Sequence, residues 1–114
     1  MRENKLADLS MDFAVKALEL ADKIEGHHAM KNQFERCATS IGANIYEANY
    51  AQSRPDFISK LHIALKECFE TEYWLELFRR TNYTPEEDTK ALLHSFGEIR
   101  RMLVASINTL KNQV

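Results

Sequence analysis

Apolar residues recur every three or four positions through four stretches of the chain, a spacing that places them on one face of an α-helix. The first stretch ends at Gly26, and the others cover about 29–50, 54–80 and 85–111. Turns of a few residues separate the stretches. This pattern predicts an all-α fold, an up-down-up-down antiparallel four-helix bundle. No linker interrupts it, so residues 1–114 are predicted to form a single domain.

The third stretch has the most regular apolar face. Its positions alternate steps of four and three, with three further residues that widen the face. Ser53 is predicted to cap this helix, with Pro55 in the first turn and Asp56 at the positive helix end. The face consists of Phe57, Leu61, Ala64, Cys68, Thr71, Leu75 and Phe78, widened by Ile58, Leu65 and Phe69.

The remaining helices show similar faces. The fourth is predicted to start with a capping box in which Thr84 is the cap, Pro85 the first helical residue and Glu87 the third. Its apolar face consists of Leu92, Leu93, Phe96, Leu103, Val104, Ile107 and Leu110. The first helix has the face Leu6, Leu9, Phe13, Ala17, Leu20 and Ile24, and a second apolar set, Met11, Val15 and Leu18, on another side. The first helix is therefore predicted to contact more than one neighbour.

Apolar residues also occur away from the main faces of the second and third helices. Ile63, Trp74 and Leu77 fall roughly opposite the main face of the third helix. Tyr46 and Tyr50 are one turn apart on the back of the second helix. An exposed apolar patch of this kind usually marks an interaction site, so these five residues form the predicted oligomer interface, with Trp74 as its anchor. The alternative for the tyrosines is simple half-exposure.

The charge balance bears on nucleic-acid binding. Seventeen acidic and 15 basic residues give a net charge of -2, whereas electrostatic nucleic-acid binders usually show a basic excess on one face. The adjacent basic pairs are Arg79-Arg80 and Arg100-Arg101. An RNA- or DNA-binding accessory subunit that gathers these four arginines around an oligomer is the alternative function. A solvated face of mixed charge is the simpler interpretation of the same residues.

Two charged and two sulfur-containing side chains fall on the predicted apolar faces. Glu72 and Arg100 form either a buried polar site or two long side chains that reach past the core to water. Counting from a turn near Asn82 predicts that they lie about 10 Å apart along the bundle and form no direct bridge. Cys37 and Cys68 are predicted to be reduced core thiols rather than a redox or metal site.

The chain shows no pattern typical of catalysis or of cofactor binding. His62 and His94 lack ligand spacing to a second His or Cys, and no phosphate loop or nucleophile elbow is present. We therefore predict no enzyme activity, metal, cofactor or small-molecule substrate. Since no apolar run reaches about 18 residues, no membrane association is predicted, and a cytoplasmic location is expected.

Four segments resemble a known bacterial family of four-helix bundles, first noticed as open reading frames in intervening sequences of large-subunit ribosomal RNA genes. They read ATSIGANI at 38–45, DFI at 56–58, LHIALKE at 61–67 and ETEYWL at 70–75. The resemblance extends over nearly the whole chain, and the family is similar to the accessory subunit of diversity-generating retroelements. It implies a ring-like homopentamer closed by the second faces of the second and third helices, and it supplies no catalytic residues.

Overall fold

The computed structural model describes residues 2–112, which form four α-helices and no strand. Helix α1 spans Asn4–Ala21, α2 His28–Ala48, α3 Arg54–Thr81 and α4 Glu86–Lys111. Helices α1 and α3 each pack against both α2 and α4, whereas within the described residues no Cα atoms of the diagonal pairs α1 and α3 or α2 and α4 come within 8 Å of each other. The resulting bundle measures 47 × 21 × 19 Å. These observations confirm the predicted fold class.

Contacts at the two ends of the bundle fix the direction of the helices. At one end, the backbone N–H of Glu3 donates to Oδ1 of Asn49 over 2.8 Å, so the start of α1 meets the end of α2. At the other end, Lys23 pairs with Asp88, which joins the end of α1 to the start of α4. Neighbouring helices therefore run antiparallel, and α1 and α3 run in the same direction.

The predicted helix starts differ in outcome. Ser53 caps α3 as expected, since its Oγ accepts from the backbone N–H of Asp56 over 3.2 Å. The predicted capping box of α4 is wrong. The Thr84 hydroxyl is buried and lies 2.6 Å from the hydroxyl of Thr89, and no side chain caps the helix. Because the Thr84 hydroxyl is engaged with Thr89 inside the protein, it is not available to the backbone of the first turn.

The predicted end of α1 is also corrected. The helix ends at Ala21, and residues 23 and 24 continue in tighter turns that bond back to Leu20 and Ala21. Gly26 lies in the connection that follows, with φ of +71°, a conformation that glycine adopts at little cost. Its role is therefore to reverse the chain before α2, not to terminate α1.

The core contains the predicted inner faces with several changes. Five fully buried phenylalanines form its largest members, and Phe34 meets Phe78 edge to face with ring centroids 5.3 Å apart. Phe69 and Val104, which were predicted to be part of the core, are exposed, and Leu9 is half-buried. Ile99 is buried although no prediction included it.

Over residues 2–112, every helix is too short or too polar to span a lipid bilayer.

Candidate interaction surfaces

The two predicted interface tyrosines lie together near one end of the bundle. Tyr46 and Tyr50 are each 60% exposed, and their ring centroids are 5.2 Å apart. The guanidinium of Arg2 sits 5.3 Å from the ring centroid of Tyr50, a distance at which a cation interacts favourably with an aromatic face. The pair is therefore an exposed aromatic surface whose outer side is free to meet another molecule.

Trp74 is less exposed than the sequence suggested. It follows Glu67 by seven residues and Glu70 by four, so it shares their side of α3, and both glutamates pair with Arg36 on α2. Trp74 therefore points toward the α2 side of the helix and not straight outward. Its indole stacks on Phe78 at 6.2 Å and supports the edge of Tyr73 at 5.2 Å. Within the described chain, its buried Nε1 has no hydrogen-bond partner.

The five predicted interface residues are spread along the bundle rather than gathered. Tyr46 lines a depression with Asp56 at the start of α3, whereas Trp74 lies 18 residues further along α3, roughly 27 Å away. Ile63 is exposed between these ends, and Leu77 is half-buried beyond Trp74. The α2 and α3 residues therefore cannot form one compact patch, and their role as an interface stays a prediction.

Two aromatic residues on α3 are more exposed than any predicted anchor except the tyrosines. Phe69 is 53% exposed and Tyr73 is 61% exposed, and they lie one turn apart on the outer side of the helix. Phe69 was predicted to border the core, and Tyr73 was not among the predicted interface residues. The spacing of four residues between two aromatics was the signal that could have identified them. We refer to Phe69 and Tyr73, with the neighbouring exposed residues His62, Lys66 and Arg80, as the outer α3 surface.

The second apolar set of α1 is exposed as well. Met11, Val15 and Leu18 lie on the side of α1 away from the bundle, and all three keep substantial contact with solvent. The prediction that α1 contacts more than one neighbour is confirmed, since α2 and α4 both pack against it, but they pack on its inner side and leave the second apolar set uncovered. We refer to these three residues, with the exposed acidic residues Asp8, Asp12, Glu19 and Asp22, as the outer α1 surface.

The four arginines considered for nucleic-acid binding do not form one cluster. Arg79 and Arg80 lie at the end of α3, and Arg100 and Arg101 lie about 14 residues into α4, some 20 Å along the bundle. Arg79 hydrogen-bonds Glu76 at 3.1 Å, and this bond holds the pKa of the Glu76 carboxyl below its ordinary value. Arg80 lies 3.8 Å from the same carboxylate. Much of the positive charge is therefore balanced locally.

Glu72 and Arg100 correct the prediction that they form no bridge, and of the two alternatives for their burial they fit the one in which both side chains reach water. They form an ion pair of 3.1 Å, and both side chains are about two-fifths exposed rather than buried. Measured from the middle of the 82–85 connection, the residues differ in level by about five positions, or ~7.5 Å. Helical side chains lean toward the N-terminus of their helix, which brings these two toward each other in antiparallel helices. The Arg100 guanidinium also covers Phe96, 5.4 Å from its ring centroid.

The cysteines lie where they were predicted. Cys37 and Cys68 are fully buried free thiols on the inner faces of α2 and α3. Burial raises the pKa of Cys37 to about 11 and that of Cys68 to about 12. Both thiols therefore stay protonated near neutral pH, which disfavours thiolate chemistry. Among residues 2–112, no group of three His, Cys, Asp or Glu side chains could hold a metal ion.

An open groove of about 620 Å³ lies between the start of α3 and the end of α4. Its lining combines the apolar Pro55, Ile58 and Leu110 with the polar Arg54, Ser59, His62 and Lys111. None of these lining residues is a carboxylate or a second histidine that would form an acid–base pair with His62. The groove therefore adds apolar surface to the outside of the bundle, and the predicted absence of a substrate or cofactor stays a prediction.

Comparisons with known proteins agree with this architecture. A crystal structure determined at 1.70 Å, of a protein of unknown function from the S23 ribosomal protein family of Bacteroides thetaiotaomicron, superimposes with a TM-score of 0.83. The two sequences are 46% identical, and the match covers 90% of this chain and 97% of the other. No curated protein matches this chain. The family model described as 23S rRNA-intervening sequence protein matches residues 2–105, and the chain belongs to that family.

Proposed function

We propose that this member of the 23S rRNA-intervening sequence protein family is a non-enzymatic, cytoplasmic scaffold or accessory protein that acts as a homo-oligomer. The observation that carries the proposal is the number of large apolar side chains left outside a complete core. Phe69, Tyr73, Tyr46, Tyr50 and Met11 are each more than half exposed. Tyr46 contacts Tyr50, and Phe69 lies one turn from Tyr73, so four of these residues form two local clusters. Exposed apolar clusters usually mark sites of association. The resemblance of the sequence to its family sets the expected number of copies at five.

The internal chemistry of the bundle also favours a scaffold over an enzyme. The thiols of Cys37 and Cys68 are protonated and buried, and the ion pair of Glu72 and Arg100 lies at the surface, so neither pair provides an activated group in a cleft. Family membership contributes no catalytic role, because the similar solved structure is described as a protein of unknown function. The features of the bundle that could engage a partner are therefore its exposed apolar surfaces.

Light scattering of the purified protein over a range of concentrations tests the proposal. We expect a mass near five times the 13.2 kDa of one chain, and a mass of one chain at every concentration would contradict the proposal.

Replacing Trp74 by Ala is expected to lower the mass while circular dichroism stays helical, since Tyr73 loses the ring that supports it. Trp74→Phe is the matched control, because a phenyl ring preserves that support. An unchanged mass in Trp74→Ala would remove Trp74 from the interface.

RNA or DNA binding is the second candidate, and the same measurement addresses it. Repeating the light scattering with a mixed RNA pool at low and high salt detects a complex that weakens as salt rises, as phosphate contacts require. We expect no such complex, because Glu76 offsets one of the two charges of Arg79 and Arg80, and Glu72 offsets that of Arg100. A salt-sensitive RNA complex would place nucleic-acid binding ahead of the pure scaffold.

A further inference from the structure

The outer α1 surface combines apolar and acidic residues. Met11, Val15 and Leu18 follow one another at steps of four and three, so they form a continuous apolar stripe along the helix. Met11 is 64% exposed, the largest value among the exposed apolar residues. Beside the stripe lie the exposed carboxylates of Asp8, Asp12, Glu19 and Asp22, which outnumber the exposed Lys5 and Lys16 of the same helix. None of these four carboxylates belongs to an ion pair formed among residues 2–112.

The outer α3 surface has the opposite charge. Lys66 lies three residues before Phe69 and seven before Tyr73, on the same side of the helix, and Arg80 lies seven residues beyond Tyr73. His62 continues the line toward the start of α3. In the part of the chain that the structure describes, Lys66 makes no ion pair, and Arg80 lies 3.8 Å from one carboxylate with most of its side chain exposed. This surface is therefore aromatic with a basic edge.

We propose that the outer α1 surface of one copy packs on the outer α3 surface of a second copy. The inference rests on the proposed homo-oligomer and names the two surfaces that join it. Pairing α1 with α1 would bring two sets of acidic residues together, whereas pairing α1 with α3 brings acidic residues to basic ones around an apolar centre. The two surfaces lie on diagonally opposite helices of the bundle. Each copy therefore offers both halves of the contact, and the association is head to tail. Because the two surfaces point in nearly opposite directions, a ring of five requires that each contact also rotates the next copy by about 72°.

The level of the residues along the bundle supports this pairing. Helices α1 and α3 run in the same direction, and two contacts through α2 set their relative height: Glu3 meets Asn49, and Glu47 pairs with Lys60. A residue of α1 therefore lies level with the α3 residue about 55 positions later, to within a turn. Asp12 then lies within one turn of the level of Lys66.

The apolar residues match at the same offset. Val15 and Leu18 lie within one turn of the level of Phe69 and Tyr73. In a ring whose rotation axis runs parallel to the helices, neighbouring copies are not shifted along that axis. Residues at the same height along the bundle therefore meet across the contact. In such an assembly, the apolar residues of α1 meet the aromatic residues of α3, and the acidic residue Asp12 meets Lys66.

Two single substitutions test the pairing. Val15→Asp and Tyr73→Asp each place a carboxylate in the centre of one surface, at positions that are 49% and 61% exposed. Each variant alone is expected to fall to the mass of one chain, with unchanged helical circular dichroism. His94→Asp places a carboxylate on the exposed side of α4 and is the matched control, which is expected to keep the wild-type mass.

Mixing the two variants gives the decisive result. The Val15→Asp chain keeps an intact outer α3 surface, and the Tyr73→Asp chain keeps an intact outer α1 surface. The mixture is therefore expected to form a 1:1 dimer of twice the single-chain mass and nothing larger. Folded variants that stay monomeric when mixed, or that keep the wild-type mass alone, would overturn the pairing of α1 with α3. A monomeric wild-type protein would instead overturn the proposed homo-oligomer itself.

Discussion

The inner and outer sides of α3 carry apolar residues of similar size, but the inner side faces the core and the outer side faces solvent. On the inner side, Phe57, Leu75 and Phe78 are at most 1% exposed and pack among the other helices. On the outer side, Phe69 and Tyr73 are more than half exposed. Because both sides belong to one continuous helix, intrinsic helix preference does not explain the difference. The inner side stabilises the single chain, whereas the outer side can contribute only when another molecule covers it.

The largest expected difference between the two sides comes from deleting one ring on each. Phe78→Ala removes a fully buried ring that meets Phe34 edge to face, and we expect the free energy of unfolding to fall by about 3–5 kcal/mol. Phe69→Ala removes the same atoms from the outer side. At concentrations where the protein is monomeric, we expect it to cost less than about 1 kcal/mol. Urea unfolding measures both values. Equal losses of unfolding free energy in the two variants would contradict the distinction between the inner and outer sides of α3.

The buried thiols give the second difference, which depends on pH. Unfolded thiols ionise near pH 9.0, whereas burial raises the pKa of Cys37 to about 11 and that of Cys68 to about 12. Between these values the unfolded chain has lost protons that the folded chain retains, so stability falls as the pH rises above 9. From pH 8 to 10, we expect wild type to lose on the order of 2 kcal/mol more than the Cys37→Ala, Cys68→Ala variant.

A thiol moved to the outer side provides the control for that experiment. Phe69→Cys in the variant without native cysteines places one thiol at an exposed position of α3. Since an exposed thiol keeps its ordinary pKa in both states, this variant is expected to show no added pH dependence between pH 8 and 10. A wild-type unfolding curve with the same pH dependence as the cysteine-free variant would contradict the assigned pKa values.

The smallest expected effect lies on the boundary between the two sides. Glu72 and Arg100 pair at 3.1 Å with both side chains partly exposed, and such surface pairs contribute little. A double-mutant cycle of Glu72→Gln and Arg100→Gln is expected to give a coupling below about 1 kcal/mol that decreases in high salt. A coupling of several kcal/mol would show that the pair belongs with the buried inner side.

The inner side of α3 could be predicted from the sequence because it depends on regular spacing. Steps of four and three from Phe57 to Phe78 define one helical face whatever surrounds it. The cap at Ser53 was equally predictable, since the proline and aspartate that follow it act within the same turn. The cap at Thr84 was not, because its hydroxyl bonds to Thr89 in a buried site that local sequence does not reveal.

The edges of the apolar faces depended on where neighbouring helices lie. Leu65 and Phe69 both border the inner face of α3, yet the structure partly buries Leu65 and exposes Phe69. Trp74 differs in the opposite direction: it was expected on the outside of the bundle, but its ring lies against the buried Phe78. The distance between Glu72 and Arg100 required both the length of the connection and the lean of two side chains, and an error of one turn reversed the prediction.

The sequence by itself determined the four helices, their antiparallel order and the inner faces, because helix spacing and short connections act locally and leave one simple arrangement. Only the tertiary structure decided which apolar residues stay outside. That outcome depends on the rotation and height of each helix against two neighbours, which no single helix encodes. Met11, Phe69 and Tyr73 are therefore recognised as surface residues from the packed bundle, where the sides of α1 and α3 that carry them meet no other helix.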